Sequence, residues 1–559
     1  RVGPMEDVVR RERLEDDVER RALGQLRADR LDGRLERAQA VSVAEKERLK
    51  ELELDMKKSI ATALKTSAAS AAEQPNIIFI FADDWGWGDL SCHGHPYVKT
   101  PNIDNLAEDG VLYTESFCPY PVCTPSRYSF LSGLYVRQHL GGSNHCTLPA
   151  GLPTFPKLLR EAGYRTKAVG KMHLTPTYAD VGFDELILAE QNGEGRYDDD
   201  YHRWLKAEGL NNFVDLLDQE KEYRRYAPAE YWDNVGAMVS DLDEVHHSTT
   251  WIGDRAAEEV SGWNDEGQLL MTSFIKPHHP FDPPDEWAKK YNADDLSLLP
   301  GYTPKPTKQD LDFSSGYFPY DQMSEEKIRQ AMAYYYALIS QIDFQVGRLI
   351  KILKQKALYD DTLIIYNSDH GDYMGHHHLL LKGNYMYDPL IRVPLIIKFP
   401  KQFNAGSVDS SLINNIDIAP TILNQAQIPT PKSMYGKDVL QSEKSIYVFA
   451  ESGQGQSYMV RSKTHKLLLC REDKHSQFFD LQNDPYELNN LYAKSNELAV
   501  ISEMKNALAR WALFEAPYPI HTDELNPTIH LRKSRGSETE TRGEIYSYFE
   551  KQMTERLNS

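Results

Sequence analysis

The 559-residue chain lacks any apolar run long enough to cross a bilayer; Ile77 to Ala82, the longest beside a strand signal, falls far short of the roughly 20 residues a helical span needs. No membrane span is expected. Cysteine is scarce: Cys92, Cys118, Cys123, Cys146 and Cys470 are an odd set that excludes a disulfide scaffold and leaves at least one thiol unpaired or chemically special. Positive charge is also in deficit, with 63 Lys and Arg against 83 Asp and Glu and a net charge of −20 at pH 7. Such a chain is a poor generic binder of nucleic acid or anionic membranes, so an anionic substrate must find a local basic pocket. No GxSxG, P-loop, zinc-finger spacing or solenoid repeat is present, and no nucleophile motif supports a glycosidase or serine hydrolase.

What is there begins with a compositional break. At roughly 100–200 residues per domain the length allows two or three domains. Residues 1–55 are rich in Arg and Glu and poor in aromatics, with Leu14, Leu23, Leu26, Leu31 and Leu35 at helix-like intervals. They read as a solvated helix or partly disordered arm. Met56-Lys57-Lys58 and the Ala/Ser-rich stretch to Ala72 read as a second beginning, a weak signal-like segment interrupted by Lys65. The charged arm thus occupies residues 1–74.

From Pro75 the pattern alternates apolar runs with helical periodicity, which implies an α/β sandwich. Strands are expected at Asn76–Ala82, Val111–Phe117, Tyr164–Val169, Gln268–Ile275, Thr362–Asn367 and Val393–Phe399. Helices are expected at Thr100–Gly110, Thr154–Ala162 and, Tyr-rich and long, Ser324–Ala357. This large domain runs to residue 435. Over 436–520 short strands (Ser445–Ala450, Ser457–Arg461, His465–Cys470, Phe478–Leu481) and a helix over Asn496–Phe514 predict a smaller α+β domain on an antiparallel sheet. Residues 521–559 read as a polar, irregular tail.

The chemistry clusters at strand ends. Asp83-Asp84 follow the first run, and Asp369-His370-Gly371 follow the run Thr362–Asn367. In open α/β sheets ligands sit beyond the carboxyl ends of strands, so these acidic groups should share one crevice. Three carboxylates there repel one another unless a cation neutralises them, and a hard divalent metal is the natural inference. Alone, a paired Asp after a strand is more often a turn or a cap. Cys123-Thr124-Pro125-Ser126-Arg127 opens a helix, where backbone N–H groups favour negative charge, although a single Cys is ordinarily just a buried thiol. Gly170-Lys171-Met172-His173, Lys276-Pro277-His278-His279 and His376-His377-His378-Leu379-Leu380-Leu381-Lys382 also follow strands or their loops. Singly each is unremarkable, and a His triplet is usually surface; their coincidence is the signal.

With these residues in view the chain resembles a type I sulfatase of the alkaline-phosphatase-like superfamily. The matching segments are PNIIFIFADDWGWGD, TPNIDNLAEDG, CTPSR with its trailing LSG, GYRTKAVGKMH, KPHHPF, NSDHGDYMGHHHLLLK and FFDLQNDPYELNNL, in the family's order over roughly residues 75 to 492. The resemblance implies an alkaline-phosphatase-like fold, a large mixed sheet sandwiched by helices with the smaller C-terminal domain. It also implies oxidation of Cys123 to Cα-formylglycine by a formylglycine-generating enzyme. Asp83, Asp84, Asp369, His370 and residue 123 would hold the metal, calcium ahead of magnesium or manganese. Arg127 would hold the modified side chain, Lys171 and Lys382 the sulfate. His173 would be the base, and His278, chosen over His279 because it directly follows Lys-Pro, the acid beside the leaving group. Export to the periplasm or outside the cell is the family's habit.

The alcohol carried by the sulfate is read from aromatics. Tyr201, Trp204, Tyr223, Tyr226, Tyr231, Trp232 and Trp251, with Trp85 and Trp87, either stack on sugar rings or pack an insertion. A sulfated carbohydrate is expected slightly ahead of a small aryl sulfate. The rival enzyme is a phosphonate monoester or phosphodiester hydrolase of the same superfamily, against which the Gly170–His173 segment argues. A noncatalytic protein that assembles through the arm is the remaining class, in which Cys123 would stay a thiol.

Overall fold

The computed structural model describes residues 74–519 and 542–558, apart from residue 150 and the short stretches 192–197, 265–266, 314–317, 321–322, 442 and 495–498. The charged arm up to residue 73, with the signal-like segment 56–72, lies outside the described residues.

The apolar runs become strands β1 (Ile77–Asp83), β2 (Val111–Tyr113), β3 (Ser116–Phe117), β4 (Arg165–Gly170), β5 (Glu185–Leu188), β6 (Gln268–Pro277), β7 (Leu363–Ser368), β8 (Leu395–Lys398), β9 (Ser407–Asp409) and β10 (Ile413–Asn414). Eight of them form one sheet in the order β5-β4-β6-β1-β7-β8-β2-β9. The five strands from β5 to β7 are mutually parallel, and β8 runs antiparallel to both β7 and β2. β1 is buried along its whole length, because neighbours flank it on both edges and helices cover both faces. Its even-numbered Ile78 and Ile80 join the core with the long helix Glu325–Gln355, and its odd-numbered Ile77, Phe79 and Phe81 join the core of the opposite face. The expected strand Val111–Phe117 is split in two, since β2 pairs with β8 and β9 while β3 leaves to pair with β10.

The long helix starts where Ser324 caps it, its hydroxyl accepting from the Lys327 N–H, with Glu325 and Glu326 in the first turn. Ile328, Met332, Tyr335, Ile339, Ile342, Val346 and Leu349 recur at helical spacing and form its buried face. β11 (Val448–Ser452), β12 (Ser457–Arg461), β13 (His465–Cys470) and β14 (Gln477–Asp480) form the separate antiparallel sheet. Asp388, just before β8, bonds Arg461 and Lys466 of that sheet and so joins the two sheets.

Two expectations change. The helix Ala499–Arg510 passes into a wider turn over Trp511–Glu515. The tail is not irregular throughout: Arg542–Asn558 is helical, with Ile545, Phe549 and Met553 buried at helical spacing and Tyr548 donating to the Leu210 carbonyl. Three apolar residues among many charges suffice once a partner surface covers them. Among the described residues no helix is long and apolar enough to cross a membrane.

Candidate active site

β1, β4, β6 and β7 release the expected clusters at one end of the sheet, while the helix Cys123–Ser132 begins against the same crevice. Val122 is extended, and Gly133, at φ 66°, ends the helix in a left-handed turn with its N–H on the Ser129 carbonyl. Donor atoms of Asp83, Cys123, Asp369 and His370 lie within 4.8 Å of one another, and so do those of Asp83, Asp84, Cys123 and His278. All six residues are fully buried.

Arg127, one helical turn after Cys123, ties the crevice together. Its Nε donates to Asp369 Oδ2 at 3.0 Å and its Nη2 to Asp83 Oδ1 at 3.1 Å. Its Nη1 donates to the Lys171 carbonyl at 2.6 Å and to Ser273 Oγ at 3.0 Å. One guanidinium therefore links the ends of four strands through a planar fork that a Lys could not supply. Lys171 Nζ pairs with Asp83. Lys382 Nζ stands 2.9 and 3.1 Å from the Asp84 oxygens and 3.2 Å from Cys123 Sγ. Burial pushes the Asp83 carboxyl up, but Lys171 and Arg127 outweigh it and hold Asp83 well below the usual carboxylate range. Burial and the neighbouring Asp83 push Asp369 up to about 7. Burial lowers His370, yet Asp369 and Asp84 overcome it and lift the imidazole to about 10. The cluster holds enough negative charge to draw a proton onto a buried ring, a surplus that a divalent cation would take up.

The donor set fits such a cation. His370 Nδ1 lies 2.9 Å from the Gly371 carbonyl, which can only accept, so Nδ1 carries hydrogen in either charge state, and Nε2, 3.3 Å from Cys123 Sγ, is the nitrogen whose extra proton a bound cation would displace. Three carboxylates and one ring nitrogen suit a hard ion; the cysteine sulfur is the misfit.

Two site residues occupy the left-handed region that non-glycine residues avoid, Asp84 at φ 60° and His173 at φ 54°. Each is pinned from both sides. The Asp84 N–H donates to Asp369 Oδ1 and its carbonyl accepts from Tyr335; the His173 N–H donates to Glu190 Oε1 and its carbonyl accepts from Thr124. The strain persists because the surroundings over-determine it. Burial and Lys171 lower His173 well below its ordinary value, and neither ring nitrogen has a hydrogen-bond partner among the described residues. Burial, Lys382 and Lys171 do the same to His278, whose Nε2 faces Asp84 Oδ2 at 3.7 Å. Both imidazoles rest neutral.

The ten expected site residues thus meet in one crevice. Sequence reasoning missed what supports them. Glu190 accepts the N–H groups of Met172 and His173, Ser273 holds Arg127, and Tyr335 binds Asp84. Glu190 stands two residues past β5, so the strand-end rule that found Asp83 could have found it. The His triplet is not a surface feature: His376, His377 and His378 are buried, His376 and His377 stack on each other, and both rings lean at a tilt on Tyr387. Most insertion aromatics are core, with Tyr201, Tyr231 and Trp251 buried and Trp204, Tyr223 and Trp232 packed against them, while Tyr226 is exposed. Trp85 is buried too, so packing accounts for this group better than sugar stacking does.

Comparison with known proteins agrees with this geometry. A family model described as N-sulphoglucosamine sulphohydrolase, C-terminal, matches residues 375–513. An arylsulfatase of Clostridium perfringens is 28% identical over 455 residues, 75% of this chain and 90% of its own. An N-acetylglucosamine-6-O-sulfatase of Bacteroides thetaiotaomicron is 27% identical, covering 76% of this chain and 83% of its own. The solved phosphonate monoester hydrolase of Agrobacterium radiobacter, 22% identical, shares the fold with a TM-score of 0.64 over 78% of this chain and 95% of its own. The Sulfatase family model matches residues 75–428, well over half of the 559-residue chain and every site residue described above, and the protein accordingly belongs to the sulfatase family, hydrolases of sulfuric esters.

Proposed function

We propose that the protein removes sulfate from a sulfated carbohydrate, using Cα-formylglycine made from Cys123 and one bound divalent cation, calcium by preference. The observation that carries this reading is the meeting, at one buried point, of an oxygen-rich ligand set, a cysteine at a helix start and two lysines. Asp83, Asp84, Asp369, His370 and an oxygen of residue 123 would hold the cation, which supplies positive charge where the ester's oxygens gain negative charge. The hydrated aldehyde supplies two hydroxyls on one carbon, one for displacement at sulfur and one whose deprotonation frees the sulfate and restores the aldehyde. A thiolate offers neither and suits a hard ion poorly.

The remaining work falls to the chain's own groups. Arg127 fixes the carboxylates and, by family resemblance, the modified side chain. Lys171 and Lys382 bind sulfate oxygens, and removing one such preorganised donor costs about 2.7–4 kcal/mol in the barrier. His173, neutral and without a hydrogen-bond partner among the described residues, takes the proton that releases sulfate. His278 hands a proton to the leaving oxygen: two of the charges that keep it neutral are Lys382 and Lys171, and a sulfate between them offsets both. The relative that acts on N-acetylglucosamine 6-sulfate supports a carbohydrate ester. A charged oligosaccharide does not cross a membrane unaided, which suits action in the periplasm or outside the cell.

The test compares 4-nitrophenyl sulfate, phenyl phosphonate monoester and a panel of sulfated oligosaccharides, with calcium supplied and then chelated. Turnover of sulfates far above the phosphonate, lost on chelation, is expected. Preference for the phosphonate would replace the reading with the rival hydrolase.

A further inference from the structure

The wall beside His278 contains a group of side chains that the reaction as described does not use. His279 Nδ1 lies 2.6 Å from Asp218 Oδ1, although the two are 61 residues apart, and both residues are buried. Asp218 sits in the helix Phe213–Gln219, part of the connection between β5 and β6. Its Oδ2 accepts from the Tyr231 hydroxyl at 2.7 Å, and its carbonyl accepts from Arg224. The carboxylate cannot swing away without breaking its bonds to His279 and Tyr231. Burial would raise Asp218, but His279 and Tyr231 outweigh it and keep it below the usual carboxylate range.

Residue 279 bears on His278 twice. The two rings stack with centroids 4.3 Å apart and planes at 23°. The His279 carbonyl lies 2.6 Å from His278 Nδ1, and the amides of Gln191 and Gln219 donate to that same carbonyl at 2.9 and 3.0 Å. A carbonyl can only accept, so His278 Nδ1 carries hydrogen in either charge state, and the proton handed to the leaving oxygen must be a second one, held on Nε2 of the imidazolium, the nitrogen turned toward Asp84 and Cys123. A ring free to flip would present the wrong nitrogen to the leaving oxygen half the time. A buried ion pair is weak evidence for stability, since apolar residues of the same volume serve that end as well. This one lies against a proposed proton donor.

We propose that Asp218, with Gln191 and Gln219, is a positioning assembly for leaving-group protonation: it clamps residue 279, whose carbonyl and ring hold His278 with Nδ1 turned inward and Nε2 turned toward the leaving oxygen. The inference rests on the reading of His278 as the acid. None of the three touches the reacting atoms, so the effect must depend on how much protonation the leaving group needs. Phenyl sulfate releases an alcohol of pKa about 10, whereas 4-nitrophenyl sulfate releases one stable as its anion.

The experiment measures kcat and KM for both esters with wild type, Asp218→Asn, Gln219→Leu and His278→Ala. Positioned general acids contribute about 10²–10⁴-fold. A partly misaligned one should therefore lower kcat on phenyl sulfate by about 10–100-fold in Asp218→Asn and Gln219→Leu, with less than about threefold loss on 4-nitrophenyl sulfate and little change in KM. His278→Ala should show the same selectivity more strongly, and combining it with Asp218→Asn should add nothing further. Equal losses on both esters, or no loss on either, overturn the proposal in favour of mere packing. If Asp218→Asn does not fold, Gln219→Leu, which keeps both members of the Asp218–His279 pair while removing the amide that donates to Asp218 Oδ1 and to the His279 carbonyl, carries the same comparison. A His278→Ala enzyme that loses equally on both esters overturns the acid assignment together with this inference, whereas a wild type that cleaves neither ester but cleaves phenyl phosphonate overturns the sulfatase reading itself.

Discussion

The carboxylate wall and the histidine wall of the crevice stand on different scaffolds. Asp83 and Asp369 end two neighbouring parallel strands, and their bridge, Arg127, rides on a helix that starts at the site. There the sheet itself sets the geometry. His278 follows a strand of the same sheet, yet its ring is oriented through Asp218, Gln191 and Gln219, none of which belongs to a strand. The first wall is the part any ester hydrolase of this design needs, since it gathers charge. The second wall is steadied from the connection between β5 and β6, and connecting segments are the kind that can change with the alcohol being released.

Substitutions can break that contrast or sharpen it. The largest effect is expected at Arg127: Arg127→Ala leaves Asp83 and Asp369 buried without their shared cation, a loss of about 3–5 kcal/mol in unfolding free energy together with activity. Chemical denaturation and turnover check it, and near-normal stability would mean that the sheet does not need the bridge. Next comes Lys382→Ala, a barrier increase of about 2.7–4 kcal/mol read as lost kcat. On the histidine side, Glu190→Ala strands the buried N–H groups of Met172 and His173 at about 1–3 kcal/mol and frees the left-handed residue 173. Its stability loss and its drop in kcat should both be restored in part by Glu190→Gln, which keeps an acceptor oxygen.

The most gradual effect, spread over pH, lies on the small sheet. Burial lifts Glu451, on β11 of the small sheet, from about 4.5 to about 7, against the opposing pull of the Arg137 N–H. The folded state then holds a proton that the unfolded state has already released between those values. Stability from this group is present below pH 4.5 and falls as pH rises toward 7, by at most about 1.4 kcal/mol per pH unit. Thermal midpoints across pH 5 to 8 should show Glu451→Gln losing less than wild type as pH rises; parallel curves would contradict the assignment.

The same contrast explains what the sequence disclosed. Asp83, Asp84, Lys171, His278, Asp369 and His370 were legible because a parallel strand buried on both faces is an uninterrupted apolar run, and its end can be read to within a residue or so. Cys123 stood at a helix start, but it and Arg127 stood out only through the resemblance of Cys123-Thr124-Pro125-Ser126-Arg127 to the sulfatase pattern. Asp218 was not legible, since nothing within its own helix shows that a carboxylate 61 residues before His279 will meet it. Polarity misled at His376–His378, where three ring systems pack into the interior on left-handed turns at His377 and His378. Composition misled at the tail, where Ile545, Phe549 and Met553 are too few to announce a helix alone.

The central claim is that residue 123 works as an oxygen-bearing carbonyl side chain among hard-ion ligands. Mass analysis of the peptide carrying residue 123, from active protein made in its native host, addresses it most directly. The account predicts that the sulfur is gone and an aldehyde or its hydrate stands in its place; fully active protein that retains the intact cysteine thiol would contradict it.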